Sequence, residues 1–225
     1  MANLFEAAVE RVTVHIPKFE VRYKNESWSS KVIAVLVWLF NRNYMRTYTT
    51  TRYPRVYFPT REFVTNDPKR AVKILAHEFV HLWDRKTKGV WFTISYALPQ
   101  LFLFLAILIA IVTSFFLPWW VTVACSVLCV LCVLPLPAYW RMEWELRGYT
   151  MNLAVNFWRY GSINPSTVEW IAKQFTGWGY YKMWPFKADM LRRLENATDE
   201  IKAGHLGWPF PEIKQFVREH EAEFK

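Results

Sequence analysis

The sequence predicts a mainly α protein with a small edge β-sheet, a His-Glu-x-x-His helix, a transmembrane helical hairpin and C-terminal helices. Three observations carry this. The segment "KILAHEFVHLWDRK" has helical periodicity and two histidines four residues apart. Residues 89–140 contain no Asp, Glu, Lys or Arg. The chain from residue 141 onward returns to amphipathic helical patterns with clear start and stop residues. The organisation expected is therefore residues 1–88 with the histidine helix, residues 89–140 as the hairpin, and residues 141–225 as the C-terminal helical part.

The 225 residues carry a net charge of +9, 13 Trp and 53% hydrophobic residues, yet the mean hydropathy is only +0.01. Apolar and charged segments are thus segregated along the chain. A basic, Trp-rich chain is suited to nucleic acid or anionic lipid. No RNA-recognition, zinc-finger or basic-zipper pattern is present, so nucleic acid is not an expected partner. Cys125, Cys129 and Cys132 all lie in the apolar region and read as packing residues, not a disulfide framework. The N-terminal segment has charges at Glu6, Glu10 and Arg11 and does not resemble a signal peptide, so the N-terminus is expected in the cytoplasm.

A membrane-spanning helix needs about 20 apolar residues, so the uncharged run has room for two, at residues 98–117 and 119–139. Pro118, Trp119 and Trp120 mark the turn. Trp91, Tyr96, Trp119, Trp120, Tyr139 and Trp140 fall near the expected ends, as interfacial aromatics do. Arg85, Lys86 and Lys88 precede the hairpin, Arg141 and Arg147 follow it, and the tip has no Lys or Arg. Both ends, both termini and the histidine helix are then expected on the cytoplasmic side of a two-span membrane protein. The shorter apolar run at residues 28–40 reads as a buried or interfacial helix.

Residues 47–64 are rich in Thr, Tyr, Val and Phe and predict one or two strands, with Pro54 and Pro59 restricting them to edges. A helix follows. Asn66 or Asp67 can cap it, Pro68 suits its first turn and Gly89 ends it. On that helix His77 and His81 point the same way and can reach one metal ion. Glu78 lies about 100° around the helix, beside the metal, where a general base for activated water is needed. Val72, Leu75, Phe79 and Leu82 form one apolar stripe, and Ile74, His77, His81 and Asp84 form another. Asp84 is placed either to orient a ligand or to solvate the helix end.

A catalytic zinc site takes three protein ligands and keeps an open position. Asp84 is too close in sequence to be the third ligand, and His205 and His220 have no supporting context. Glu143 and Glu145 are the candidates, on the helix that the hairpin brings back to the same side. In "GWGYYKMWPF", Tyr180 or Tyr181 could donate to an oxyanion, although aromatic packing is the plainer reading.

The His-Glu-x-x-His helix, two apolar helices and a following glutamate resemble the gluzincin class of zinc metallopeptidases. In particular, they resemble the integral-membrane group that includes the CAAX prenyl endopeptidases. The resemblance covers about residues 77–149. It implies a zincin-like fold, Zn2+ as cofactor and zinc metalloendopeptidase activity. The substrates implied are peptides or proteins, including membrane-associated ones, and the lipid bilayer is the other partner. His77, His81 and a glutamate would be ligands and Glu78 the general base. Glu145 is preferred because Gly148 permits close helix approach and Tyr149 lies one turn along the same face; Glu143, with Arg141 before it and Trp144 after it, is the alternative. The family has an Asp four residues after its glutamate; here those positions hold Arg147 and Tyr149. The resemblance also implies that a substrate peptide adds to "RVYFPTREF" as an edge strand. The competing reading is a non-enzymatic membrane protein whose metal site is structural or absent.

Overall fold

The computed structural model describes residues 3–37, 44–98, 100–133, 137–178 and 182–224. Helices dominate, with one three-stranded sheet. Helix α1 (Leu4–His15) opens on a capping box, Asn3 with Glu6. Strand β1 (Glu20–Tyr23) and a 3₁₀ turn at Lys24–Glu26 lead into α2 (Trp28–Val37). Residues 38–40 of that apolar run lie outside the described residues. Strands β2 (Thr50–Arg52) and β3 (Arg55–Phe58) form a hairpin, followed by the short α3 (Arg61–Asn66).

The sheet order is β1-β3-β2. Strand β3 pairs in parallel with β1, Val56 opposite Val21, and antiparallel with β2, Val56 opposite Thr51. This corrects the expectation that "RVYFPTREF" holds an edge strand: β3 is central. Pro54 and Pro59 fall just outside the paired residues, so neither removes a donor from the ladder. The consecutive burial of Val56, Tyr57 and Phe58 is what a strand covered on both faces requires. The edge nearest the histidine helix is β2.

Helix α4 (Pro68–Lys88) is organised as its sequence predicts. Asp67 caps it by accepting from the Arg70 N–H at 3.0 Å, Pro68 occupies the first turn, and Gly89 ends it at φ +59°. It packs against α1, α3, β2 and α8 (Tyr139–Tyr160). Ala71, Val72, Leu75, Ala76, Phe79, Val80 and Leu82 are all buried. Each fully buried large apolar side chain of this kind contributes about 1.5–3 kcal/mol, so α4 is anchored by its apolar side chains. Behind α8 stand α9 (Pro165–Thr176), α10 (Lys187–Ala203), α11 (Phe210–Glu219) and a last turn, α12 (Glu221–Phe224). Left-handed Gly161 and Gly204 end α8 and α10.

The uncharged run divides into three helices. Helix α5 (Val90–Ala97) was not foreseen; α6 (Gln100–Phe116) and α7 (Trp119–Val133) pack on each other as a hairpin about Pro118. The hairpin helices have 17 and 15 residues, about 26 and 23 Å at 1.5 Å per residue, less than the ~20 residues expected of each span. Among the described residues no helix is long and apolar enough to cross a membrane. Trp91, Trp119, Trp120, Tyr139 and Trp140 are exposed, as the interfacial reading requires. Tyr96 departs from it and turns inward.

Candidate metal centre

Helix α4 places His77, Glu78 and His81, and α8 places Glu145. All four are buried, between 4% and 8% exposed. Burying that many titratable side chains is unfavourable unless each is compensated, so their concentration at one helix crossing calls for a chemical reason. The two Nε2 atoms face each other at 3.1 Å. His77 Nε2 lies 3.6 Å from Glu145 Oε2, and His81 Nε2 lies 3.8 Å from Glu145 Oε1. Among the described residues these three are the group whose ligand atoms converge, all within 4.8 Å of one another. Glu143 goes elsewhere. Its carboxylate pairs with Arg193 of α10 at 2.6 Å, because two positions along a helix point away from each other.

The helices meet closely because of Gly148. A Cβ at that position would stand 2.6 Å from His77 Cε1 and Nε2. The Tyr149 ring sits edge-on to His77, centroids 5.1 Å apart. The Asn152 amide reaches His77 Nδ1 at 3.2 Å. The atom at that distance is Nδ2, a donor, and Asn152 Oδ1 has no hydrogen-bond partner among the described residues. Tyr96, from α5, donates its hydroxyl to Glu145 Oε1. Asp84 does not orient a ligand. It pairs with Arg147 at 3.0 Å and ties α4 to α8, while His81 Nδ1 has no hydrogen-bond partner among the described residues.

Glu78 lies beside the cluster, held by the Thr51 hydroxyl, which donates to Oε2 at 2.5 Å. Burial pushes Glu78 above the usual carboxylate range, against the opposing pull of His77 and Thr51. Burial lowers His81 to about 4, so that imidazole is neutral at physiological pH. For His77, burial acts downward, but the Glu145 hydrogen bond and the charges of Glu78 and Glu145 raise it overall. For Glu145, burial acts upward and is outweighed by the His77 hydrogen bond and the charges of both histidines, which bring it down to about 2.

The donor set fits a divalent cation. Zinc takes tetrahedral nitrogen and oxygen ligands at about 2.0–2.2 Å, which spaces neighbouring ligand atoms by about 3.3–3.6 Å. The separations here, 3.1, 3.6 and 3.8 Å, bracket that spacing. One neutral imidazole, a second whose Nε2 faces the first, and an ionised carboxylate make a set that could hold a divalent metal ion. Comparison with protein-family models, with curated proteins and with solved structures gives no match. The chemistry of the site therefore rests on its own residues.

A cleft of ≈ 670 Å³ opens onto the cluster. Its walls are β2 and the segment before it, α4, α5 and the start of α8, with Thr51, Arg85, Tyr96 and Arg141 among the lining residues. Its volume suits a peptide-sized ligand. Sequence reasoning missed three contributors: Thr51, Tyr96 and Asn152. Each acts on a site residue from 27, 49 or 75 positions away in the chain. Tyr180 and Tyr181 lie outside the described residues.

Proposed function

We propose that the protein is a membrane-anchored, zinc-dependent peptidase. The observation that carries this is the convergence of His77, His81 and Glu145 in one buried group, with Glu78 beside it and a cleft leading to it. Three protein ligands and an accessible side match a catalytic zinc site better than a structural one, which closes with four. A bound zinc ion supplies a Lewis acid that lowers the pKa of a water to about 7 and polarises a carbonyl. Glu78 is the general base: with Oε2 held by Thr51, Oε1 is left to take the proton of the attacking water. The same carboxyl then delivers that proton to the amine as the C–N bond breaks. The substrate peptide lies along β2, which pairs only with β3 among the described residues.

The hairpin is the anchor. Leu108, Ile111, Phe115, Phe116, Trp119, Val123 and Leu128 are all exposed on it, a concentration of apolar surface that a bilayer would cover. With Arg85, Lys86 and Lys88 before it and Arg141 after it, the site and both termini belong on the cytoplasmic side. Substrates presented at the membrane surface follow from that placement. Carbonate extraction of membranes from expressing cells tests the anchor, and release into the supernatant would count against it.

Zinc content and peptide cleavage, measured together on wild type and Glu78→Gln in detergent, test the chemistry. The expected outcome is zinc in both proteins and cleavage by wild type alone. Cleavage surviving in Glu78→Gln overturns the mechanism; absence of zinc from both overturns the site.

A further inference from the structure

Helix α5 has two faces with opposite surroundings. Its inner face packs on the metal cluster. The buried Phe92 ring lies 6.2 Å from the His81 ring and 5.2 Å from the Trp144 ring, centroid to centroid. Trp144 Nε1–H donates to the buried Ser95 hydroxyl at 3.0 Å, and Tyr96 donates to Glu145. On the outer face Val90, Trp91 and Ile94 are exposed. At about 100° per residue the two sets centre on opposite sides of the helix. The helix carries no Asp, Glu, Lys or Arg.

The exposed aromatic surface continues beyond α5. Ring centroids follow one another at 5.6 Å from Trp91 to Trp140, 5.4 Å to Tyr139, 6.0 Å to Trp184 and 5.1 Å to Phe186. This surface adjoins both ends of the hairpin, since α5 ends at Ala97 before α6 begins at Gln100, and α8 begins at Tyr139. Exposed Lys86 and Lys88 precede α5, and exposed Lys187 follows Phe186. A contiguous apolar surface with Trp and Tyr at its centre and lysines at its rim has the composition of a membrane–water interface.

We propose that α5 lies in the interfacial layer of the bilayer, outer face down, and with the rings of Tyr139, Trp140 and Phe186 seats the metal cluster at a fixed height above the lipid. This assignment rests on the membrane-anchor reading above, and adds a second contact to the hairpin. The bilayer is the occupant because the surface adjoins the hairpin and its lysine rim suits anionic headgroups. One helix with its side chains is about 10–12 Å across, and α5 stands between the cluster and the lipid. An extended chain advances about 3.3–3.6 Å per residue, so the first bond that reaches the cluster is about three residues from the lipid boundary. The substrates this favours are chains tethered to the same membrane and cut a few residues outside it.

The test uses the full chain, with Cys125, Cys129 and Cys132 changed to alanine, in vesicles of phosphatidylcholine and phosphatidylglycerol. Single cysteines replace Ile94 on α5, Leu128 on the hairpin or the exposed Asp199 on α10, and each carries an environment-sensitive fluorophore. Quenching by shallow spin-labelled lipid is compared with quenching by iodide in the water. At position 94 the lipid quencher should be more effective than iodide by at least threefold, and at position 199 the order should reverse. Lipid quenching at 128 with iodide quenching at 94 overturns the proposal and leaves the anchor standing. Iodide quenching at both rejects the anchor as well. Protection of position 94 from both quenchers also overturns the proposal, because a second copy or another protein then covers the face. Cleavage of lipid-tethered peptides by wild type is scored separately. Bonds nearer than about three residues to the lipid should be spared, and their cleavage overturns the height assigned to the cluster. Absence of cleavage at every spacing rejects the peptidase reading alone.

Discussion

The Thr51 hydroxyl donates to Glu78 Oε2 at 2.5 Å, joining the middle of the edge strand β2 to the acid next to the first histidine. This bond aims the carboxylate and favours its ionised form. Thr51→Val should reduce kcat by about tenfold, a part of the roughly 10²–10⁴-fold that general-base catalysis contributes, with zinc content retained. Without the hydroxyl the Glu78 pKa rises further, so the acid limb of the rate profile should move to higher pH. Thr51→Ser should restore both rate and profile. A Thr51→Val protein with the wild-type profile would show that the bond has no part in the proposed catalysis.

Gly148 sets the distance between the helices at the metal cluster. In Gly148→Ala the new methyl would stand 2.6 Å from the His77 ring. Methyl and ring cannot both keep these places, so the cluster must open. Overpacking of this kind destabilises by about 1–3 kcal/mol. Zinc affinity should fall at least tenfold, measured by competition with a chelating dye, and thermal denaturation should begin earlier. Unchanged zinc affinity would show that His77 does not need its present position.

Glu145 and Glu143 separate cleanly by substitution. Glu145→Gln should abolish zinc binding, since it removes the charged ligand of the cluster. Glu143→Gln should leave zinc in place and cost at most about 1 kcal/mol, the range for a partly exposed ion pair such as Glu143–Arg193. The reverse pattern would reassign the third ligand.

Zinc removal should reshape the pH dependence of stability. In the metal-free protein His77 and Glu145 form an ion pair. The His77 pKa is raised above its ordinary 6.5, so its contribution is fully present below 6.5 and is lost as pH rises through the raised value. Glu145 is lowered from 4.5 to about 2, so its contribution is present above 4.5 and is lost as pH falls towards 2. Both contributions are present between 4.5 and 6.5, but His81, lowered to about 4 by burial, withdraws stability as pH falls below 6.5, so the Tm of the chelator-treated protein should be highest in the upper part of that window. The added stability from zinc should grow from pH 5 to 8, because ligand protons compete with the metal. A zinc increment independent of pH would exclude His77 as a ligand.

Much of the site was legible in the chain because helical periodicity is local. The positions of His77, Glu78 and His81 on one helix, its Asp67 cap and its Gly89 stop, and the helical returns after residue 140 all follow from spacing and capping chemistry within a few residues. The choice between Glu143 and Glu145 was not local. Two positions along a helix point in different directions, and only the packing of α4 on α8 decides which one faces the histidines. The central place of β3 depended on a four-residue partner, β1, too short and too charged to announce itself. Thr51, Tyr96 and Asn152 carry no motif at all; they matter because β2, α5 and α8 bring them against site residues. The sequence alone determined which residues can hold a metal and move a proton, since that is a property of side-chain chemistry and helical pitch. The tertiary structure decided which of them meet and which long-range hydrogen bonds aim them, because those contacts join segments that only packing brings together.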